Sequence, residues 1–479
     1  MEITKDLTST FDFIAEFESD YQMCGLPFND RTCKAALNIR NLRLDFNLKV
    51  REALSVSNKI VLNDFIIQNM KSNRRYIIPQ NHNYLNGTIN IAADKEAYCP
   101  YSITVSHIME EGWKKEKKYF YRFVLPIESA YWIRDINTMT YHMGNFWSRG
   151  LIPINFNEGT IHVYPIRKSD ANYMVIESQF ACTYDDMNKY IYAISLALGL
   201  VTSTITFDYA YLFASDDAIY DKNVLCGFME MRPTVKGQYQ FFTTNMYSLE
   251  DAVKRNGANY ALSQLYDELG NLCPHLQDWI QLNEFEQITL MLYKNEALAR
   301  AVLTLIESSN MSLDYEGAMC AVALETICSA VYRPQQKTLM ENGEWRNVVR
   351  PKFEDLIRQL ETEQAISREH AETMRRKLDG FNAATNADKL SQPFASVGYN
   401  LTKSDKKNIE RRNRFLHGNI VGHTQQESFD EILYTCMELQ KLCVVLLFRN
   451  AGFNGLIVNN AVLMGLKNAV IDKEPILIG

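Results

Sequence analysis

The stretch ERRNRFLHGN, Glu410 to Asn419, closes a strongly basic run and brings Arg412, Asn413 and His417 close together in the chain. Between Leu401 and Gly418, six cations (Lys403, Lys406, Lys407, Arg411, Arg412 and Arg414) stand against Asp405 and Glu410, a net charge of +4. Most of these residue types favour helix, and Gly418 is a suitable C′ residue, so a helix is expected over about 402 to 417 that ends at the histidine. On a regular helix five residues turn through about 500°, which leaves Arg412 and His417 about 140° apart around the axis. They share a site only where the helix ends or bends between them, or where a second copy completes it.

The helical texture extends both ways from this stretch. Apolar residues recur at helical spacing over roughly 248–269, 275–308, 312–333, 351–379 and 427–450, with a shorter run near 458–470. The intervening 383–400, rich in Asn, Asp, Ser, Pro and Gly, has the composition of a loop. Short connections between so many apolar stripes imply an antiparallel helical bundle. Before residue 245 the pattern is strand-like: YFYRFVLPI (Tyr119 to Ile127), GTIHVYPI (Gly159 to Ile166) and NYMVIESQF (Asn172 to Phe180), followed by a helical run over about 184–200. The expected fold class is α+β, with a β-rich domain holding at least one helix over 1–245 and an all-α bundle over 246–479.

Composition narrows the function classes. An apolar fraction of 47% with only 21 Gly and 12 Pro in 479 residues describes a chain that folds throughout, in more than one domain. The net charge of −7 is spread evenly, with 25 Lys and Arg against 28 Asp and Glu in residues 1–250 and 25 against 29 in the rest. Neither half coats nucleic acid nonspecifically, so any RNA contact is local, at the basic run. Ten cysteines lack CxxC or metal-type spacing and read as buried thiols of a reducing compartment, with no metal or cofactor expected. The N-terminus has no apolar core of signal-peptide length, and Tyr190 to Val201 is too short to span a bilayer. These features lead to the expectation of a cytoplasmic protein without a membrane partner.

Two further features bear on a site. YEGAMCAVALETICSAVY, Tyr315 to Tyr332, carries one charge after its first turn, Glu325, which must reach water or meet a cation. Arg412 and Arg411 are the candidates. The run Lys114 to Lys118 before Tyr119 reads as a charged turn entering a strand whose aromatic residues pack.

RNRFLHG, Arg412 to Gly418, resembles the signature of the HEPN domains, an all-helical family containing many RNases: an arginine, a polar residue next to it, and a histidine separated from the arginine by four to six residues, four here. With a β-rich region ahead of it, the chain is most similar to the ApeA-like HEPN proteins of bacterial abortive infection. The resemblance implies a metal-independent endoribonuclease acting as a homodimer in anti-phage defence, with two motifs facing one cleft. His417 would act as base or acid, Arg412 would grip the phosphate, and Asn413 would orient the histidine or bond a phosphate oxygen. Lys406, Lys407, Arg411 and Arg414 would hold the RNA backbone, and Glu325 would support the site. The nucleophile is the RNA's own 2′-hydroxyl, so the products are a 2′,3′-cyclic phosphate and a 5′-hydroxyl. The N-terminal domain would sense a phage-derived trigger or restrain the nuclease. The alternative is a catalytically inert HEPN module that binds RNA or protein, joined to a ligand-binding β-domain.

Overall fold

The computed structural model describes residues 7–17, 19–24, 33–38, 42–49, 64–79, 83–86, 98–128, 133–143, 146–205, 208–273, 278–332, 338–383, 386–416 and 426–479. Its longer helices, in chain order, are α1 (Thr8–Phe17), α2 (Tyr184–Thr202), α3 (Met246–Arg255), α4 (Leu282–Lys294), α5 (Glu296–Ser308), α6 (Leu313–Val331), α7 (Arg350–Thr362), α8 (Arg368–Leu378), α9 (Asn386–Ser396), α10 (Lys403–Leu416) and α11 (Gln426–Asn450). The fold is α+β, with a β-rich N-terminal region and a helical C-terminal region. Two compact units divide the chain at Thr244/Asn245, but His275–Lys294 belongs with the first unit, so each unit is discontinuous in sequence.

The first unit is built on one antiparallel sheet. From edge to edge its described strands run Met139–Met143, Phe146–Phe156, Gly159–Lys168, Ala171–Ser178, Phe120–Ile127, Tyr209–Ser215, Leu225–Glu230, His107–Glu110, Arg75–Ile78, Phe65–Asn69, Asp20–Cys24, Cys33–Asn38, Arg43–Lys49, Tyr98–Val105 and Asn83–Asn86. Cys33–Asn38 alternates buried and exposed residues, the period-two signature of a strand with one wet face. Phe120–Ile127 is buried over five consecutive residues because both of its faces are covered. Thr183 caps α2 by accepting from the Asp186 amide, and Asp185 and Asp186 sit where the helix dipole favours negative charge. Helix α4 lies against α2. Tyr293 of α4 stacks on Tyr190 of α2, with ring centroids 5.1 Å apart, and Phe156 joins them at 4.4 Å from Tyr190. That aromatic contact accounts for α4 joining the sheet unit.

Within the sheet, Arg122 and Glu177 face one another across neighbouring strands, both with fully buried side chains. The Arg122 Nε donates to Glu177 at 3.0 Å, Nη1 donates to the Thr10 hydroxyl at 2.6 Å, and the guanidinium lies 4.0 Å from the Tyr220 ring centre. The Lys114–Lys118 run is a turn before a strand, as its composition suggested, with Lys117 paired to Asp216 at 2.6 Å.

The second unit is helical. Cys436 donates to the Leu313 carbonyl and Cys443 to the Cys320 carbonyl, so equal seven-residue steps match on α11 and α6 and the two helices run parallel. Helix α10 runs antiparallel to both, because Arg412 meets Glu325 while Phe415 lies against Gly317, further back along α6. A Cβ at Gly317 would lie 2.2 Å from a Phe415 ring carbon, so only glycine admits this approach.

Several expected elements differ in detail. The segment 383–400 was expected as a loop, yet α9 occupies Asn386–Ser396 with Pro393 inside it. Burial of Leu390 and Phe394 outweighs the helix-breaking composition. The long run 275–308 divides at Asn295, whose side chain caps α5. The run 351–379 divides before Ser367, which caps α8. The run 248–269 is α3 followed by a 3-10 turn at Asn259–Gln264.

Replacing Arg122 by methionine strands the buried Glu177 carboxylate. Arg122→Met is expected to lower stability by about 3–5 kcal/mol, read as a fall in urea midpoint. An unchanged midpoint would show that the pair is dispensable.

Candidate functional site

Helix α10 carries a polar inner face. Asp405, Asn408 and Arg412, at helical spacing, are buried beside Ile409 and Phe415, while Lys403, Lys406, Lys407, Glu410, Asn413 and Arg414 are exposed. Its start is a reciprocal capping box. The Asp405 amide donates to the Thr402 hydroxyl at 3.1 Å, and the Thr402 amide donates to Asp405 Oδ2 at 2.8 Å.

At the other end, the Arg412 side chain is only 4% exposed. Its Nε donates to Glu325 Oε1 at 3.2 Å and its Nη1 to the Ile409 carbonyl at 2.7 Å, which holds the guanidinium in one orientation. Glu325 thus meets the first of its two candidate cations, and its own side chain remains half-exposed. Arg411, the other candidate and an expected RNA contact, instead pairs with Glu431 of α11. Lys406, Lys407 and Arg414 lie on the exposed face, and Asn413 is exposed with them rather than beside the Arg412 pair. The helix is described as far as Leu416, and His417 and Gly418 lie outside the described residues.

The apolar stretch Phe429 to Phe448 of helix α11 and the helix leading to His417 are the sequence's candidates for an interface with a second copy. Fifteen consecutive residues, Tyr434 to Phe448, are instead buried within the unit itself. The start of that helix, where Phe429 is exposed, and its last residue, Asn450, face solvent.

The sequence reading missed a second polar cluster next to this face. The Lys441 ammonium is 2.6 Å from Glu438, 3.0 Å from Asp405 and 3.9 Å from Glu474, in a setting almost free of water. Tyr399 donates to Asp405 at 3.2 Å, Asn459 donates to Glu474 at 3.0 Å, and Tyr434 bridges Ser404 and Glu474. Burial opposes the charge on Lys441, but Glu438, Asp405 and Glu474 outweigh it and raise its pKa. Burial likewise opposes ionisation of Asp405, yet Lys441 and the Thr402 amide hold its carboxyl below the usual range. One ammonium does not neutralise three carboxylates, and Glu438 takes the difference: burial pushes its pKa up, against the pull of Lys441. The missed signal was Glu438 and Lys441, the two charges in the largely apolar CMELQKLCVVLLF, the same anomaly that singled out Glu325.

Glu316, in the first turn of α6, is buried with one carboxylate oxygen lacking a hydrogen-bond partner. Burial alone lifts its pKa to about 7. Among the described residues no group of three or more His, Cys, Asp or Glu is placed to hold a metal ion. No described helix is long and apolar enough to cross a membrane. Comparison of the chain with protein-family models, curated proteins and solved structures returned no match.

Because the folded pKa of Glu316 is raised, its contribution to stability is complete below about pH 4.5 and is lost as pH rises through 7. Glu316→Gln removes that loss. The stability of the variant relative to wild type is expected to grow by about 3 kcal/mol between pH 4.5 and pH 8.5 in urea titrations. A difference independent of pH would mean that Glu316 does not titrate in this range.

Proposed function

We propose that the chain is a metal-independent endoribonuclease of HEPN type, with Arg412 and His417 as the reacting pair and abortive infection as its setting. The observation that carries this reading is the fixed guanidinium of Arg412, held by Glu325 and the Ile409 carbonyl on a basic helix described over Lys403–Leu416. Glu325 and the Ile409 carbonyl take Nε and Nη1, and the reading assigns Nη2 to a phosphate oxygen, with His417 moving the proton. Lys406, Lys407 and Arg414 occupy the solvent face where an RNA backbone would lie. Asn413 serves from the same exposed face, as a contact to RNA or to the histidine. Arg411, committed to Glu431, acts as a brace between α10 and α11.

One motif holds a single histidine, yet the reaction needs both a base and an acid. A homodimer with two motifs about a twofold axis supplies both. The exposed face of α10 and the start of α11 around Phe429 are the surfaces proposed for that contact. The sheet unit is assigned the sensing or restraining role, with a phage-derived trigger.

One observation favours the inert alternative, an RNA- or protein-binding HEPN module. Arg412 is buried enough for its pair with Glu325 to be purely structural. Rates of RNA cleavage separate the two. His417→Ala and Arg412→Ala are expected to lower cleavage of total RNA by about 100-fold or more with the fold retained. Glu325→Gln, at a half-exposed position, is expected to retain the fold and lose at least about tenfold. Folded variants that cleave at the wild-type rate would overturn the assignment.

A further inference from the structure

The sheet unit contains a cavity of about 430 Å³ at its Met139–Met143 edge, within the size range of small-molecule sites (roughly 300–1,000 Å³). Its floor is apolar, with Ile133, Ile136 and Tyr141 all buried. Three exposed arginines, Arg134, Arg149 and Arg167, line it together with the partly exposed Trp279, and none of its described lining residues carries a carboxylate.

The backbone is shaped around this space. Met139 pairs with Leu151 and Thr140 with Arg149, which leaves Gly150 as a one-residue bulge. Gly150 has φ +132°, and a Cβ there would lie 2.6 Å from the Pro165 ring, so the bulge requires glycine. Tyr141 donates its hydroxyl to the Pro165 carbonyl and fixes the floor against the next strand. On the far wall, the Asn137 amide donates to the Ile280 carbonyl at 2.8 Å and the Ile280 amide to the Asp135 carbonyl at 3.1 Å, which sets the segment bearing Trp279 beside the sheet edge.

The arginines are weakly committed within the fold. Arg149 donates to the Asn137 side chain at 3.2 Å and lies 5.6 Å from the Trp279 ring centre. Arg167 donates to the Ser169 carbonyl at 3.3 Å. Arg134 is 3.9 Å from Asp135, a carboxylate that already accepts from the Thr244 amide and hydroxyl at 2.9 and 2.7 Å. Three guanidiniums above an apolar floor, beside an indole, match a flat ring that carries a multiply charged anion.

We infer that this cavity binds a nucleoside diphosphate or an anion of the same build, with the ring on Trp279 and the apolar floor and the phosphates on Arg134, Arg149 and Arg167. The inference does not rest on the nuclease reading. Calorimetric titration of the full-length protein with ADP, GDP, UDP and CDP, beside adenosine and inorganic pyrophosphate, tests it. At least one diphosphate is expected to bind at least about tenfold more tightly than either half-ligand. Arg149→Gln and Arg167→Gln, both exposed substitutions, are each expected to weaken that binding by about tenfold or more with the melting temperature unchanged. The inference is overturned if no diphosphate binds at millimolar concentration, if pyrophosphate binds as tightly as the nucleotides, or if both substitutions leave the affinity unchanged.

Discussion

Lys441 is an ammonium with almost no water around it, and helices α10 and α11 are tied together because Asp405 of α10 pairs with it, beside Glu438 of α11 itself. Breaking one side of such a buried pair costs about 3–5 kcal/mol, comparable to a large part of a domain's net stability. Asp405 also closes the capping box that starts α10, so a single carboxylate fixes both the first residue of the helix and its register against α11. With the start fixed, helical geometry places Arg412 two turns further on the same inner face, opposite Glu325. The close approach of Phe415 to Gly317 then holds the last turn. The proposed reacting group is positioned by a chain of constraints that begins at Lys441.

The sheet unit shows what distinguishes a structural arginine from one available to a ligand. Arg122 is fully buried, with a carboxylate at 3.0 Å, a hydroxyl at 2.6 Å and an aromatic ring beneath it. Removing water from that charge is largely compensated inside the fold, with Nη2 left without a hydrogen-bond partner. Arg134, Arg149 and Arg167 are exposed around a cavity whose described lining holds no carboxylate, so a bound anion is the partner that matches them. Arg412 lies between these cases, nearly buried and paired, yet at the end of an otherwise solvent-facing basic run.

The periodic elements were legible because burial on one face leaves a pattern in the residues. The strands around Tyr121, Ile161 and Val175, helix α2, and the change to helical texture near residue 245 all follow from that pattern. Glu325 was legible for the opposite reason, as a charge in an apolar stripe that needed a cation. Helix α9 was hidden by its loop-like composition, since two buried side chains decide its state through contacts distant in sequence. The assignment of α4 to the sheet unit was hidden in the same way, because it depends on Tyr293 meeting Tyr190 and Phe156. The Lys441 cluster and the arginine-lined cavity draw residues from segments far apart in the chain, and short motifs do not reveal such groupings. The burial of Tyr434 to Phe448 places that part of α11 in its own unit's core, since an apolar helix serves a core as readily as a dimer contact.

The central claim, that Arg412 and His417 cut RNA using the substrate's own 2′-hydroxyl, is tested most directly by the chemistry of the ends. Purified protein is incubated with total RNA in excess EDTA, and the new termini are mapped. Cleavage is expected to persist in EDTA and to leave 2′,3′-cyclic phosphate and 5′-hydroxyl ends. Cleavage that stops in EDTA, returns with magnesium or manganese and leaves 5′-phosphate ends would contradict it.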